Sequence, residues 1–212
     1  MNTPAPWNLT GRGFILTYRF PEEFVRESSF LPDEWKEKKW TGKGFVMLAD
    51  YWTSPVGPYK ELLFIPGRSH FDGERLYTIS KIFVDTLDSM ENGRNNWGIP
   101  KELADFQWTK EERVHNIRVG GASSWFEIEL ETGSIPFPVH SRFQPIHLYQ
   151  EMGNKKFQVS PIAKGTGHFA MIKGIKSDAL YFPDLDLVEP TVALYVDPFR
   201  MVFPEGKMQY FR

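Results

Sequence analysis

The run "SWFEIELET" sets Trp125, Glu127, Glu129 and Glu131 on one side of an extended chain and Phe126, Ile128 and Leu130 on the other. Successive side chains of a strand point to opposite faces, so this alternation reads as a strand with one face in a core. About ten such short runs recur between turn residues. They include "GFILTYRF" (Gly13–Phe20), "GFVMLADYW" (Gly44–Trp52), "ELLFIPG" (Glu61–Gly67) and "RLYTISKIFVDT" (Arg75–Thr86), then "LADFQWTKE", "ERVHNIRVG", "KFQVSPIAK", "GHFAMIKGI" and "VALYVDPFRMVF". Helical signals are few. "PEEFVRE" (Pro21–Glu27) opens with a proline and two acids, as a first helical turn does. "PDEWKEKKW" and "PIHLYQEM" (Pro145–Met152) are similar and short. The pattern predicts a mainly β (α+β) fold: an antiparallel sheet curling into a closed or half-closed β-barrel, because closure removes exposed edges, with a few short peripheral helices.

With 212 residues, 41% of them hydrophobic, the chain suits one domain over 1–212 with a real core. Lys and Arg number 25 against 27 Asp and Glu, and no basic run is free of acids. That argues against a nucleic-acid partner, which requires a clustered positive field. The chain has no cysteine, so disulfides and thiolate metal sites are excluded. No apolar run approaches the roughly 20 residues of a membrane helix, and "MNTPAPWNLTGRG" lacks the charged leader and apolar stretch of a signal peptide. A cytoplasmic protein with no membrane partner is the expectation.

Several chemistries can be set aside. "GTGHFA" (Gly165–Ala170) fits G-x-G-x-x-A, with Asp184 and Asp186 near the distance of a ribose-binding acid. The residues after these glycines alternate instead of winding, so a tight turn between two strands is the better reading. The histidines at 70, 115, 140, 147 and 168 show no metal-ligand spacing, and "GGASSW" lacks a nucleophile elbow and reads as a hairpin turn.

One segment remains: "GRNNWGIPKELADF", Gly93 to Phe106. Read as a turn between strands, it ends in a lone lysine, which by itself describes an exposed Lys101 after a proline. Yet Trp97, Ile99, Leu103 and Phe106 are bulky and apolar, so the segment packs. A lysine anchored among them loses solvent, and burial disfavours the ammonium and leaves amine to attack a carbonyl.

At these residues the chain resembles the acetoacetate decarboxylase family. The family signature is Gly-Arg-Glu, four residues, then Pro-Lys-Lys, with the first lysine forming the Schiff base. Here Gly93-Arg94-Asn95 precedes Pro100-Lys101-Glu102 at the same spacing. The family's Gly-x-Tyr-x-Glu stretch is matched by Gly57, Tyr59 and Glu61, a second family acid by Glu74 in "DGERLY", and a family arginine, one residue out of step, by Arg12. The matches run from Arg12 to Lys101. In an extended segment Lys101 and Glu102 point to opposite faces, so Glu102 does not crowd the amine.

The resemblance implies a Schiff-base lyase acting on a small keto acid, first of all by decarboxylation of a β-keto acid such as acetoacetate. Lys101 would be the nucleophile and Glu61 the acid or positioning group, with Arg12, Tyr59, Glu74, Arg94 and Trp97 binding substrate. It implies no cofactor and no metal, and a homo-oligomer. Aldol addition or dehydration on the same lysine is an alternative outcome. A non-catalytic barrel binding a small apolar molecule is the other, favoured by the departures at Asn95 and Glu102.

Overall fold

The computed structural model describes residues 2–211. Among the described residues, sixteen strands and three α-helices succeed one another along the chain. Strand β1 (Trp7–Tyr18) leads through helices α1 (Glu22–Ser28) and α2 (Asp33–Lys36) to β2 (Gly44–Thr53), β3 (Tyr59–Ile65), β4 (Arg68–Phe71), β5 (Glu74–Tyr77) and β6 (Lys81–Val84). Helix α3 (Leu87–Trp97) precedes β7 (Lys101–Leu103), β8 (Asp105–Glu111), β9 (Val114–Gly120) and β10 (Ser124–Thr132). The remainder is β11 (Phe137–His140), β12 (Leu148–Met152), β13 (Lys155–Val159), β14 (Ile162–Ser177), β15 (Val192–Phe203) and β16 (Lys207–Tyr210).

These strands form two sheets. The larger has 11 strands in the order β7-β6-β3-β2-β1-β15-β14-β10-β9-β8, with β11 attached to β14; the smaller runs β16-β13-β12-β5-β4. Strand β3 shows how the sequence builds two cores from one sheet. Its Leu62 and Phe64 enter a cluster with Phe14 and Leu16 of β1 and Ile117, Phe126, Ile128 and Leu130 of β9 and β10. All belong to the same sheet, so the sheet folds over on that core. The alternate residues Tyr59, Leu63 and Ile65 enter a second cluster with Trp7, Leu9, Ile82, Trp97, Leu148 and Val159. That core lies between the other face of the large sheet, α3 and the small sheet. Burial on both faces explains why "ELLFI" is a nearly continuous apolar run.

The fold is mainly β as expected, but no sheet is closed into a barrel: the path of the large sheet ends at β7 and β8, with the small sheet covering one face and the curl the other. Three expectations are corrected. Residues 145–152 form no helix: Leu148–Met152 is a strand paired antiparallel with β13, its short apolar run drawn into the ladder. The glycine-rich "GTGHFA" is not a turn but the interior of β14, where the pairing with β15 shifts register between Gly165 and Gly167. Gly93–Trp97 is not a turn either; it is the last part of α3. The hairpin at "GGASS" and the strand in "SWFEIELET" are as expected.

Candidate active site

Helix α3 escapes a search for apolar periodicity because its buried stripe is Ser89, Asn92, Gly93 and Trp97. The spacing is helical, but most of the residues are small or polar. The ends are well marked: the Thr86 side chain accepts from the Ser89 backbone N–H at 3.4 Å, and Gly98 closes the helix at φ 63°, in the left-handed region that glycine tolerates. The stripe is small because Lys101 lies across it. A Cβ on Gly93 would stand 2.7 Å from Lys101 Cδ and 2.8 Å from Cε. One turn nearer the N-terminus, Ser89 Oγ accepts from Lys101 Nζ at 3.1 Å. Residues four apart stack on one helix face. The lysine stem therefore runs along the helix, over Gly93, to Ser89. Arg94 holds the base of the stem, its Nε donating to the Lys101 carbonyl at 2.8 Å. The Gly-Arg…Pro-Lys spacing thus has a physical content: a gap for the stem, a clamp on its backbone, and a left-handed reversal into β7.

Strand β7 pairs in parallel with β6, which pairs with β3, and this places Lys101 beside Glu61. Lys101 Nζ lies 2.8 Å from Glu61 Oε2. Both residues are deeply buried, 3% and 6% exposed. The other Glu61 oxygen accepts from the Tyr51 hydroxyl at 3.3 Å, and the Tyr59 ring lies 4.9 Å from Nζ. Burial, and then the charge of Glu61, push the Tyr51 and Tyr59 phenols well above their ordinary range, so both remain neutral.

Beside the amine is a cavity of about 30 Å³. Its walls come from Trp7 and Leu9 of β1, Tyr59, Glu61 and Leu63 of β3, Trp97, and Met201 and Phe203 of β15. Trp97 is fixed by a 2.7 Å bond from its indole N–H to the Pro204 carbonyl and by ring contacts with Trp7 and Phe203.

The structure brings together Lys101, Glu61, Tyr59 and Trp97 around this cavity, with Arg94 behind it. Arg12 lies elsewhere. It is on the opposite face of β1, donating to Asp50 Oδ2 at 3.0 Å and stacked on Trp108. Glu74 is exposed at the end of a tight turn whose Asp72 and Gly73 both have positive φ. Glu102 points away from Lys101 and pairs with Lys81 at 2.7 Å. Sequence reasoning missed Ser89, Tyr51, Trp7 and Leu9. The signals were the threonine cap three residues before Ser89 and the odd-numbered parity that Trp7 and Leu9 share on one strand face. Among the described residues no cluster of His, Asp and Glu could hold a metal, and no helix is long and apolar enough to cross a membrane.

A sequence profile of the acetoacetate decarboxylase family (Acetoacetate decarboxylase, ADC) matches residues 1–126. The chain belongs to that family. No curated protein matches it. Among solved structures, the fold is similar to acetoacetate decarboxylase from Legionella pneumophila, with a TM-score of 0.71 at 16% identity over 99% of this chain and 90% of that one. It is also similar to the enduracididine biosynthesis enzyme MppR complexed with pyruvate (TM-score 0.65, 14% identity, 98% and 91% covered). A third is an acetoacetate decarboxylase-like enzyme from Sphingomonas wittichii RW1 (TM-score 0.65, 10% identity, 99% and 95% covered).

Proposed function

We propose that the protein is a Schiff-base enzyme in which the Lys101 amine condenses with the carbonyl of a small substrate. The observation that carries this reading is a buried lysine paired with a buried carboxylate at the edge of an otherwise apolar cavity. Both partners lose solvation there, and one proton transfer across the 2.8 Å contact turns ammonium and carboxylate into amine and carboxylic acid. Nucleophile and general acid form in the same step.

The amine adds to the carbonyl carbon to give a carbinolamine. Glu61 then donates its proton to the departing hydroxyl, and water leaves. The products are a cationic iminium on Lys101 and the Glu61 carboxylate facing it, so charge balances. The iminium draws in the electron pair released when an adjacent C–C or C–H bond breaks, giving an enamine that water reprotonates, or Glu61 where its carboxylate has taken the α-proton. Arg94 acts through the backbone, holding the lysine strand against α3. Tyr51 holds the carboxylate in place, and the Trp97 indole walls the cavity.

Membership of the acetoacetate decarboxylase family supports carbon–carbon lyase chemistry, with decarboxylation the first reaction to test. The similar fold of MppR, which has been seen with the condensation product of pyruvate and imidazole 4-carboxaldehyde, makes aldol-type condensation the second.

The test is borohydride reduction in the presence of small carbonyl compounds, read by intact mass. The expected result is one stable adduct on the wild-type chain, mapped to Lys101 and missing from a folded Lys101→Ala variant. Unchanged mass across ketones, aldehydes and keto acids alike would overturn the Schiff-base reading and leave a non-covalent binding cavity.

A further inference from the structure

We propose that the Lys101 cavity selects an uncharged carbonyl compound, a small ketone or aldehyde, over a keto acid. This inference rests on the Schiff-base reading, adds the substrate class to it, and of the two reactions above favours the aldol type, which needs no substrate carboxylate.

The argument is one of charge. Of the described residues lining the cavity, Lys101 is the only cation and Glu61 the only anion, 2.8 Å apart. The remaining polar groups are the Tyr51 and Tyr59 hydroxyls; every other wall is apolar, from Leu9 and Leu63 to Trp97, Met201 and Phe203. Neither nearby arginine supplies a second positive charge. Arg12 is on the far face of β1, committed to Asp50, and Arg94 is turned to the Lys101 carbonyl. Once the iminium forms, it and Glu61 neutralise each other. A neutral substrate leaves that balance intact. A substrate carboxylate would add a third charge without a partner, beside a carboxylate that repels it and among walls that cannot solvate it.

Size points the same way. The cavity of about 30 Å³ holds about two waters by the usual requirement for a buried water, which favours the smaller of two candidate substrates. Positions on β1 decide the matter: its odd-numbered residues Trp7 and Leu9 face the cavity, and a cation at position 9 would reach the substrate where Arg12 does not.

For a neutral ketone the bond broken next to the iminium is a C–H bond. The Glu61 carboxylate takes the α-proton, the C–H electron pair becomes the enamine double bond, and the iminium nitrogen becomes neutral. Reprotonation reverses the step, so α-hydrogens exchange with solvent and no co-reactant is consumed.

The experiment compares acetone and butanone with pyruvate and 4-oxopentanoate, two keto acids that do not lose carbon dioxide to become ketones under these conditions. Borohydride-trapped adduct on Lys101 is measured at equal concentration. Exchange of ketone α-hydrogens in deuterated water, followed by NMR, is measured in parallel. The expected result is at least a hundredfold preference for the ketones, with exchange that disappears in Lys101→Ala. A second variant, Met201→Arg, places a guanidinium on a half-buried wall; it should lower the ketone-to-pyruvate ratio at least tenfold while the fold persists by circular dichroism. Equal trapping of pyruvate and butanone, or a ratio unmoved by Met201→Arg, would overturn the selectivity and leave the Schiff-base reading standing. No adduct with any of the four compounds would overturn the selectivity, and the same result with aldehydes and β-keto acids would overturn the Schiff-base reading as well.

Discussion

On one face of β1, Trp7 and Leu9 look onto Lys101 and Glu61; on the other, Arg12 and Phe14 look onto Trp108, His115 and Tyr195. Both regions bury titratable groups among aromatic rings. Around His115 most of those groups are occupied by one another, although its Nε2 is buried without a hydrogen-bond partner among the described residues. Its Nδ1 accepts from the Trp108 indole at 3.0 Å, the Tyr195 hydroxyl donates to Asp197 at 2.6 Å, and Arg12 is committed to Asp50. Around Lys101 the polar pair borders open space. The same ingredients therefore serve packing on one side and border a cavity on the other. What separates the two is the cavity, not burial or charge.

The sharpest way to break this comparison is to remove half of the reactive pair. Lys101→Ala leaves Glu61 buried without its cation and should destabilise the fold by about 3–5 kcal/mol. Lys101→Met combined with Glu61→Gln should recover most of that loss while activity stays absent. Denaturant melts of the single and double variants check it, and equal stability of all three would mean that the pair contributes nothing beyond its individual residues.

On the other face the expected effect is an acid sensitivity. His115 is fully buried; desolvation, then the charges of Lys110 and Arg12, lower its pKa to about 4, with Asp197 acting the other way. Protonation would also set a second donor against the Trp108 N–H. The folded pKa lies below the unfolded value of about 6.5, so the folded chain binds fewer protons between the two. The stability this represents, at most about 3 kcal/mol, is complete above pH 6.5 and is lost as pH falls from there to about 4. Unfolding midpoints from pH 4.5 to 7.5 should show that slope, and His115→Phe should flatten it.

The smallest change in stability is expected at Gly93→Ala. Alanine gains up to about 1 kcal/mol of helix propensity, but its methyl group would press on Lys101 Cδ and Cε, which are flexible enough to give way. The two effects should offset to within about 1 kcal/mol, while the displaced amine forms its borohydride adduct at least tenfold more slowly. A stable variant that reacts at the wild-type rate would show that the reactive face does not depend on the path of the lysine stem.

Much of this was legible in the chain because it is written in alternation. The strands of β3 and β10, the burial of Lys101 and the opposite orientations of Lys101 and Glu102 all derive from period-two patterns and bulky neighbours. Other features depend on partners distant in sequence. The stripe of α3 looks polar because it is shaped around a lysine that comes after it, and Gly93 reads as a helix breaker until that side chain is placed. Residues 148–152 became a strand because β13 offered them a ladder. Arg12 sits in the right neighbourhood, yet strand parity turns it to the far core, and Glu74 was drawn to the surface by the Asp72-Gly73 turn.

The family match ends at residue 126, and both Glu61 and Lys101 lie inside it. Most of the cavity wall lies inside it too, but Met201 and Phe203 arrive on β15, and the Pro204 carbonyl that anchors Trp97 comes just after. The buried pair and part of the wall it faces are thus written in separate stretches of polypeptide. Descendants of such a chain can reshape the cavity by changing a few side chains near its end, leaving Lys101 and Glu61 untouched.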